Sequence, residues 1–497
     1  MRKIKVITIL SLIVFSILFS QEGQKETRFH QYSKKAKGMD GKLEVVSASW
    51  YGKEDVDKFF TGEILNDGKI LLAGISGNKG LIIFLNKDGN KIEEEKKLDG
   101  ANIYFLKQAK NETIYFSGKS DSSFIDYLNS NKIEIIKIPP PSDTTLKGND
   151  MFLSKMSKDG KIEKVYIFEK AEGLMPDIGR VGLKERRGIP FFVLSNGELL
   201  LQVYKKIYKI DTKGEIKEIG KSDYTLLGVD EKRGYYIVGG DTNTSTGREP
   251  WRCPRFFINK IENGENVDSL WNWNPKVVGD DKYRLVSDSG FMFPVLVTTE
   301  GEYVVIGWSD GGNTVFLREP KNLDVGVKYG FIDSLWGAKV GKFSRIMKVK
   351  PEGEFIGGSI WCAFLTNKNQ PNSSFVTDIT ITENGNIAFI SSNTHNIVES
   401  PDSWSGNYLK GGSGYAFSIF SSDFKDLLFS SAIPDAILYG LTYKNKKFLI
   451  FGSTKGIGSG CQCEVCKSRK LILKNQLQAE FGGNEDAYFL IAQIKEK

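Results

Sequence analysis

Apolar runs of four to six residues alternate with short polar turns along nearly the whole chain. One such unit recurs seven times. Its first half is a turn and an apolar run ending in a small residue. The copies are NDGKILLAG (66–74), KNETIYFSG (110–118), SNGELLLQV (195–203), KRGYYIVGG (232–240), TEGEYVVIG (299–307), ENGNIAFIS (383–391) and NKKFLIFGS (445–453). The last core positions are Gly74, Gly118, Val203, Gly240, Gly307, Ser391 and Gly452. A missing side chain there permits close backbone approach to a neighbouring strand.

The second half is another apolar run ending in a turn: GLIIFLNKDG (80–89), MFLSKMSKDG (151–160), KIYKIDTKG (206–214), RFFINKIENG (255–264), FSRIMKVKPEG (343–353) and YAFSIFSSDF (415–424). The seventh copy, AYFLIAQIKEK (487–497), meets the end of the sequence before its turn. Asp-Gly, Asn-Gly and Lys-Gly pairs supply the positive φ that tight hairpins need. The runs between them read as strands buried on both faces. No stretch shows sustained helical periodicity. Each unit therefore predicts a four-stranded antiparallel meander, and seven such sheets around an axis form an all-β, seven-bladed β-propeller over 43–497.

The seventh unit lacks an outer strand. The surplus strand lies at the other end, Leu43 to Trp50. It is expected to pair with the last blade and remove the exposed edge.

The stretch SWYGKEDVDKFFTGEILNDGKILLAGISGNKGLIIFLNKDG (49–89) resembles one repeat of the secreted bacterial β-propeller-repeat families, and FGGNEDAYFLIAQI (481–494) repeats part of it. The block 279–320 resembles segments of uncharacterised secreted bacterial proteins of this kind. The resemblance covers the first and last units well and the others loosely. It implies a fold and an export route, and it carries no catalytic residues.

In a meander, the second-to-third-strand and unit-to-unit connections leave from one end of every sheet. The long connections, 119–150, 170–188, 241–254, 274–291, 308–342, 392–414 and 453–486, all fall in that class. Specificity is therefore expected on one decorated face. Its loops are aromatic and basic: Arg248, Trp251 and Arg252, Trp308, Trp336, and Trp404 with Asn407 and Tyr408. Trp and Tyr there would anchor a protein or glycan partner. The alternative is that the same rings pack the loops onto each other. Asp310 and Asp241, with Asn243 and Asn313 nearby, offer oxygen ligands to Ca²⁺. Their spacing matches no defined calcium loop, and Asx turns explain them equally.

Of five cysteines, Cys461, Cys463 and Cys466 lie in GCQCEVCKSRK (460–470). Cys-x-Cys-x-x-Cys suits a soft metal such as Zn²⁺, with Cys253 the candidate fourth ligand. A disulfide, Cys463–Cys466 or one to Cys253, is the rival. Lys467, Arg469 and Lys470 would lower the thiol pKa, which leaves a redox role as a third reading. Cys362 reads as an inert thiol in an outer strand, Phe355 to Leu365.

Residues 1–20 have a basic start (Arg2, Lys3, Lys5), an apolar stretch from Ile7 to Phe19 and a small Ser20. This is the layout of a secretory signal peptide. No Cys follows it, which argues against a lipoprotein anchor. Residues 21–42 are polar and lack periodicity, and read as a flexible lead-in. The chain has 497 residues and a formal charge of +7, which falls to +4 once Arg2, Lys3 and Lys5 are removed. That excess is too small to imply nucleic-acid binding. There are two histidines, His30 and His395, so a His-rich metal or catalytic centre is excluded. Walker, GxGxxG, HExxH and GxSxG signatures are absent. The chain thus reads as an exported, non-catalytic binding or scaffolding propeller in the periplasm, at the cell surface or outside, with no transmembrane span after cleavage. The alternative is a propeller hydrolase or lyase acting on glycans or lactone-like substrates through carboxylates of the decorated face, assisted by Ca²⁺.

Overall fold

The computed structural model describes residues 35–53, 56–141, 148–174, 188–246, 249–272, 288–310, 315–333, 341–365, 370–393, 396–405, 414–456 and 471–495; at 173–174, at the described positions of 242–251 and at 370 it describes the backbone alone. The described chain is nearly all β, with one α-helix.

Successive strands pair antiparallel in chain order. The first sheet is Asp57–Ile64, Ile70–Ser76, Lys79–Leu85 and Ile92–Asp99. The second is Ala101–Gln108, Ile114–Ser120, Asp150–Met156 and Ile162–Phe168, with Glu134–Ile138 added in parallel at its outer edge. The third is Phe191–Val193, Leu199–Val203, Lys206–Ile210 and Ile216–Lys221. The fourth is Thr225–Asp230, Tyr235–Thr246, Glu249–Lys260 and Asn266–Leu270. The fifth is Ser289–Val297, Tyr303–Asp310, Lys342–Val349 and Phe355–Trp361. The sixth is Ser374–Ile381, Ile387–Asn393, Gly414–Phe420 and Leu427–Ile433, joined to the fifth by a single parallel pairing, Phe343 with Ser374. The last is Ala436–Lys444, Lys447–Thr454 and Asp486–Lys495, and its outer strand is Lys42–Tyr51 from the start of the chain. Leu43 pairs there with Ile494 and Trp50 with Tyr488, so the surplus strand sits where the sequence expected it.

The turns explain why the strands stop where they do. At 65–69 the Leu65 N–H donates to the Lys69 carbonyl (2.9 Å) and the Gly68 N–H to the Leu65 carbonyl (3.0 Å). Gly68 has φ +88°, which closes a type I turn with a left-handed residue at its end. The same bonding recurs at 194–198, 298–302, 350–354 and 382–386. The Gly of each turn thus supplies the positive φ expected of these tight hairpins.

In every sheet but the third, the first strand breaks register where it pairs with the second. The register shifts between Phe59 and Thr61, Ile103 and Phe105, Val376 and Asp378, and Leu438 and Gly440. The partners of the residues just before these breaks are Gly74, Gly118, Ser391 and Gly452, the small positions of the repeat. A Cβ on Gly74 would lie 1.8 Å from the Lys58 carbonyl oxygen. In the fourth sheet the close approach is at Gly239, whose Cβ would meet Leu227 and the Arg255 carbonyl, and not at the aligned Gly240.

First strands also pack against first strands of neighbouring sheets: first on second, second on third, fourth on fifth, fifth on sixth and sixth on last. The second strand of the third sheet packs on the first strand of the fourth, and the last sheet returns to pack on Asp57–Ile64. Apolar clusters fill these seams, one of them holding Phe59, Leu72, Tyr104, Phe168, Leu201, Leu449 and Phe489.

Three segments cover edges. Residues 471–478 run along the outer side of Lys42–Tyr51, with Ala48 and Lys474 exchanging backbone bonds of 2.8 and 2.9 Å. The Lys37 N–H donates to the Leu427 carbonyl (2.8 Å) and Ala36 is buried, so the end of the lead-in is docked on the sixth sheet. Helix α1 (Ser122–Ser130) starts at Asp121, whose carboxylate accepts from the Ser123 N–H, and buries Phe124 and Leu128 against the second sheet. Its nine residues are too few for a helical period to stand out in the sequence.

Candidate functional site

Strand direction sorts the connections. Turns between first and second strands and between third and fourth strands run from two to six residues, as at 445–446 and 86–91. At the other end lie 121–149, 311–341, 394–413 and 455–485, and the unit-to-unit segments 169–190, 271–288 and 362–373. Two second-to-third connections at that end are tight, 77–78 and 204–205. The expected loop 241–254 is instead a continuation of the hairpin, paired residue by residue from Tyr235 with Lys260 to Thr246 with Glu249.

Arg248, Trp336, Asn407, Tyr408, Asn313, both histidines, and Cys461, Cys463 and Cys466 lie outside the described residues, as does the side chain of Trp251. Arg252 is half-buried on the hairpin extension, paired with Asn243. Cys253, beside it, is buried and sits opposite Thr242. Cys362 is buried between Phe355–Trp361 and Ala363–Leu365, and burial pushes its thiol pKa up, away from reactivity.

Trp308 and Asp310 are strand residues at the decorated end of the fifth sheet. Trp308 is 5% exposed, and Lys342 Nζ sits 5.0 Å above its ring. A Cβ on Gly290 would come within 2.8 Å of the Trp308 Nε1 and 2.9 Å of the Asp241 Cβ. Tryptophan, Asp241 and the Gly290 backbone are thus wedged together where the fourth and fifth sheets meet. The Asp310 N–H donates to the Asp288 carbonyl (3.2 Å). Burial pushes the Asp310 carboxyl up to about 6, helped by hydrogen bonding and repulsion from Asp288 and opposed by Lys342. Arg345 lies below, 3% exposed, with Nη1 donating to Ser309 Oγ (2.8 Å) and the guanidinium over the Phe316 and Tyr329 rings. Among the described residues no three His, Cys, Asp or Glu side chains are placed to hold a metal ion.

Trp404 stacks on Phe417 (5.7 Å, 6°) and contacts Phe429 (4.8 Å). Its Nε1–H donates to the Leu43 carbonyl (3.0 Å) and its backbone N–H to Ser431 Oγ (3.0 Å). This ring fastens the N-terminal strand.

The sequence reading passed over the space between the first strands. The bulges leave Phe60, Tyr104 and Tyr439 out of register, and Phe60 touches both tyrosines at 5.1 and 5.0 Å. Phe293 meets Phe105 and Phe192, each at 5.9 Å. Beside these rings is a cavity of about 310 Å³, lined by first-strand residues of the first, second, third, fifth, sixth and last sheets. Its lining falls late in those strands, so it faces the end with the short turns. The signal was present as adjacent apolar pairs at one position of the first strands, Phe59-Phe60 and Tyr104-Phe105.

At the junction of the first and last sheets, Lys58 and Glu485 form a buried ion pair (3.3 Å), and Ser453 Oγ donates to Glu485 (2.5 Å). Asp57 and Asp486 each accept from the N–H four residues upstream, Lys53 (3.1 Å) and Gly482 (2.8 Å). These carboxylates close their own loops.

No family model matches the chain, and no curated protein matches it. Among solved structures it is similar to the WD40 β-propeller domain of Doa1, with TM-score 0.45, 10% identity, 90% of this chain and 97% of that one covered. It is also similar to Sqt1 of Saccharomyces cerevisiae, with TM-score 0.42, 9% identity and 91% and 99% covered. The hydrazine synthase of Kuenenia stuttgartiensis gives TM-score 0.44, 11% identity and 80% and 94% covered. No helix of the described residues is long and apolar enough to cross a membrane.

Proposed function

We propose that the chain is an exported, seven-bladed β-propeller closed by its N-terminal strand, and that it acts as a non-catalytic scaffold. Its partner, a protein or glycan at the cell envelope, docks on the end that carries the long connections. Four observations support the ring: the sheet-to-sheet packing, the return of the last sheet onto the first, the pairing of Lys42–Tyr51 with Asp486–Lys495, and the repeated bulge–glycine geometry. The export route rests on residues 1–20.

One observation carries the docking face. Every long connection leaves from the same end, while turns at the other end never exceed six residues. The hairpin extension 241–254, with Arg252 half-exposed, projects there. Of the aromatic anchors, Trp308 and Trp404 are used to pack the scaffold, so recognition falls to Trp251, Arg252 and the remaining loops.

The test is an array of envelope polysaccharides and peptides, read against the chain from residue 21. Binding is expected to fall at least about tenfold in Trp251→Ala and Arg252→Glu with the melting temperature unchanged. Binding that survives both changes would move the partner off this face. The enzyme reading is favoured by the Asp288–Asp310 pair, one carboxyl of which holds its proton near pH 6. Turnover of an array member that is lost in Asp310→Asn would establish it.

A further inference from the structure

Past the body of the fourth sheet, its second and third strands run on as a two-stranded ribbon, 242–246 against 249–253. The first strand follows the second only as far as Gly239, and the fourth follows the third only to Phe256. Among the described residues no strand pairs with the outer side of either arm of the ribbon. The Ile261 N–H donates to the Gly234 carbonyl (2.9 Å), which fixes the alternation of this ladder. The register then runs without a shift to the tip, so Thr242 bonds with Cys253, Thr244 with Trp251 and Thr246 with Glu249. The backbone groups of the residues between these turn to the two outer edges.

The two edges differ in chemistry. On the third-strand side the outward positions are Pro250, Arg252 and Pro254. Proline has no N–H, so that edge keeps one donor in three and carries a cation as well. On the second-strand side Asn243 and Ser245 turn both N–H and C=O outward, and 242–246 reads Thr-Asn-Thr-Ser-Thr, without charge or proline. Three β-branched residues in five favour an extended backbone. Five residues give an edge of about 17 Å. Two other outer edges show how this fold closes such positions. Ile92–Asp99 carries six charged residues in eight, and Phe355–Trp361 is bonded by the backbone at Gly330 and Ile332. The edge 242–246 has neither protection among the described residues.

We propose that the edge 242–246 takes up an extended segment of a protein partner as an added β-strand. The segment bonds through its backbone to the outward N–H and C=O groups of Asn243 and Ser245. This names the class of partner for the decorated face, and it rests on the proposal that this face is the docking end. A polysaccharide has no regular row of N–H and C=O groups, so the edge selects peptide over glycan.

Selection of a displayed library of random twelve-residue peptides on the chain from residue 21 tests it. Peptides are expected that bind the wild-type chain at least about tenfold tighter than Asn243→Pro, which lacks one outward N–H. Pro250 and Pro254 already stand at outward positions of the ribbon, so Asn243→Pro should leave the melting temperature unchanged. A second measurement needs no variant. Of two N-methylated forms of a selected peptide, one methylated at odd and one at even positions, one should lose binding and the other keep it, because alternate residues of a strand face its partner. A library that yields no such peptide, equal binding to wild type and Asn243→Pro, or equal behaviour of the two methylated forms overturns the proposal. Peptides lost in Trp251→Ala but kept in Asn243→Pro leave the docking face standing and remove the edge, whereas binding that survives Trp251→Ala, Arg252→Glu and Asn243→Pro removes both. A dimer of the wild-type chain that Asn243→Pro converts to monomer, read by analytical ultracentrifugation, would give the edge to a second copy and overturn the peptide.

Discussion

The indole N–H of Trp404 donates to the backbone carbonyl of Leu43 at 3.0 Å, across 361 residues of sequence. Trp404 belongs to the connection that follows the second strand of the sixth sheet, while Leu43 lies in the strand that completes the last sheet. The bond therefore ties the N-terminal strand to a neighbouring sheet as well as to its own. Trp404→Phe keeps the stack on Phe417 and loses the bond, and should cost about 1 kcal/mol. Trp404→Ala also removes the ring and should cost about 3 kcal/mol. Deletion of 43–50 exposes the Asp486–Lys495 edge and should abolish cooperative unfolding. Urea denaturation of the three variants measures all of this, and an unchanged midpoint for the deletion would mean that the strand is not a structural closure.

A second seam depends on one buried carboxylate. Asp230, 1% exposed, accepts from Arg233 Nη1 at 2.8 Å and from the Tyr303 hydroxyl at 3.1 Å, and Arg233 also donates to the Gly301 carbonyl. Tyr303 is in the fifth sheet and Asp230 in the fourth. Asp230→Ala strands the buried Tyr303 hydroxyl and takes one of two partners from the surface guanidinium of Arg233, at a cost of about 2 kcal/mol. Tyr303→Phe should cost about 1 kcal/mol. A double-mutant cycle is expected to show coupling above about 0.5 kcal/mol. Additive costs would mean that the seam is held by apolar contact alone.

Much of this architecture is legible in the sequence because hairpin turns are local chemistry. Gly68 and its counterparts need a left-handed backbone wherever they stand, and the apolar runs between them are short. The fourfold strand order follows, and so does the pairing of Lys42–Tyr51 with the unit that lacked a strand. What fills the space between the first strands is not legible in the same way. Phe60, Tyr104 and Tyr439 reach it because a bulge interrupts each ladder, and a bulge is a property of two strands together. Trp308 and Trp404 show the same limit from the other side. A tryptophan in a connection looks like a ligand anchor until its neighbours, Lys342 and Gly290 for one and Phe417 and Leu43 for the other, are known.

The repeat glycines give a sharper test of the bulge. A methyl group on Gly118 would lie 1.8 Å from the Asn102 carbonyl oxygen, and neither backbone can retreat without breaking the ladder. Gly118→Ala should therefore cost about 3 kcal/mol. Ser391→Ala, at the equivalent position of the sixth sheet, keeps a Cβ that is already accommodated. It loses the hydroxyl that accepts from Trp361 Nε1 (2.9 Å) and Asn393 Nδ2 (3.1 Å) and donates to Asn393 Oδ1 (3.3 Å), and should cost about 1–2 kcal/mol. Thermal melts of the two variants side by side would show the difference. Equal losses would mean that the small residue is not what allows the strands to approach.

The carboxyl of Asp310 holds its proton up to about pH 6, with burial the main cause and Asp288 the second. The charged groups acting on it are Asp288 and Lys342. An unfolded aspartate releases its proton near pH 4. The folded state therefore binds this proton more tightly than the unfolded state does, and protonation favours folding. The contribution is fully present below about pH 4 and is lost as pH rises through about 6. Its size, allowing for solvent screening at a partly exposed site, is about 1–2 kcal/mol. Asp486, raised by burial and by Asp57, slopes the same way, so the wild-type curve alone cannot assign the effect. Asp310→Asn separates them: it keeps a hydrogen-bonding group beside Asp288 and carries no charge at any pH. The stability of Asp310→Asn relative to wild type should rise between pH 4 and 7 and level off above, measured by urea denaturation at fixed ionic strength. Parallel curves across that range would show that Asp310 is ionised throughout. The carboxyl pair would then lose its claim to acid–base chemistry.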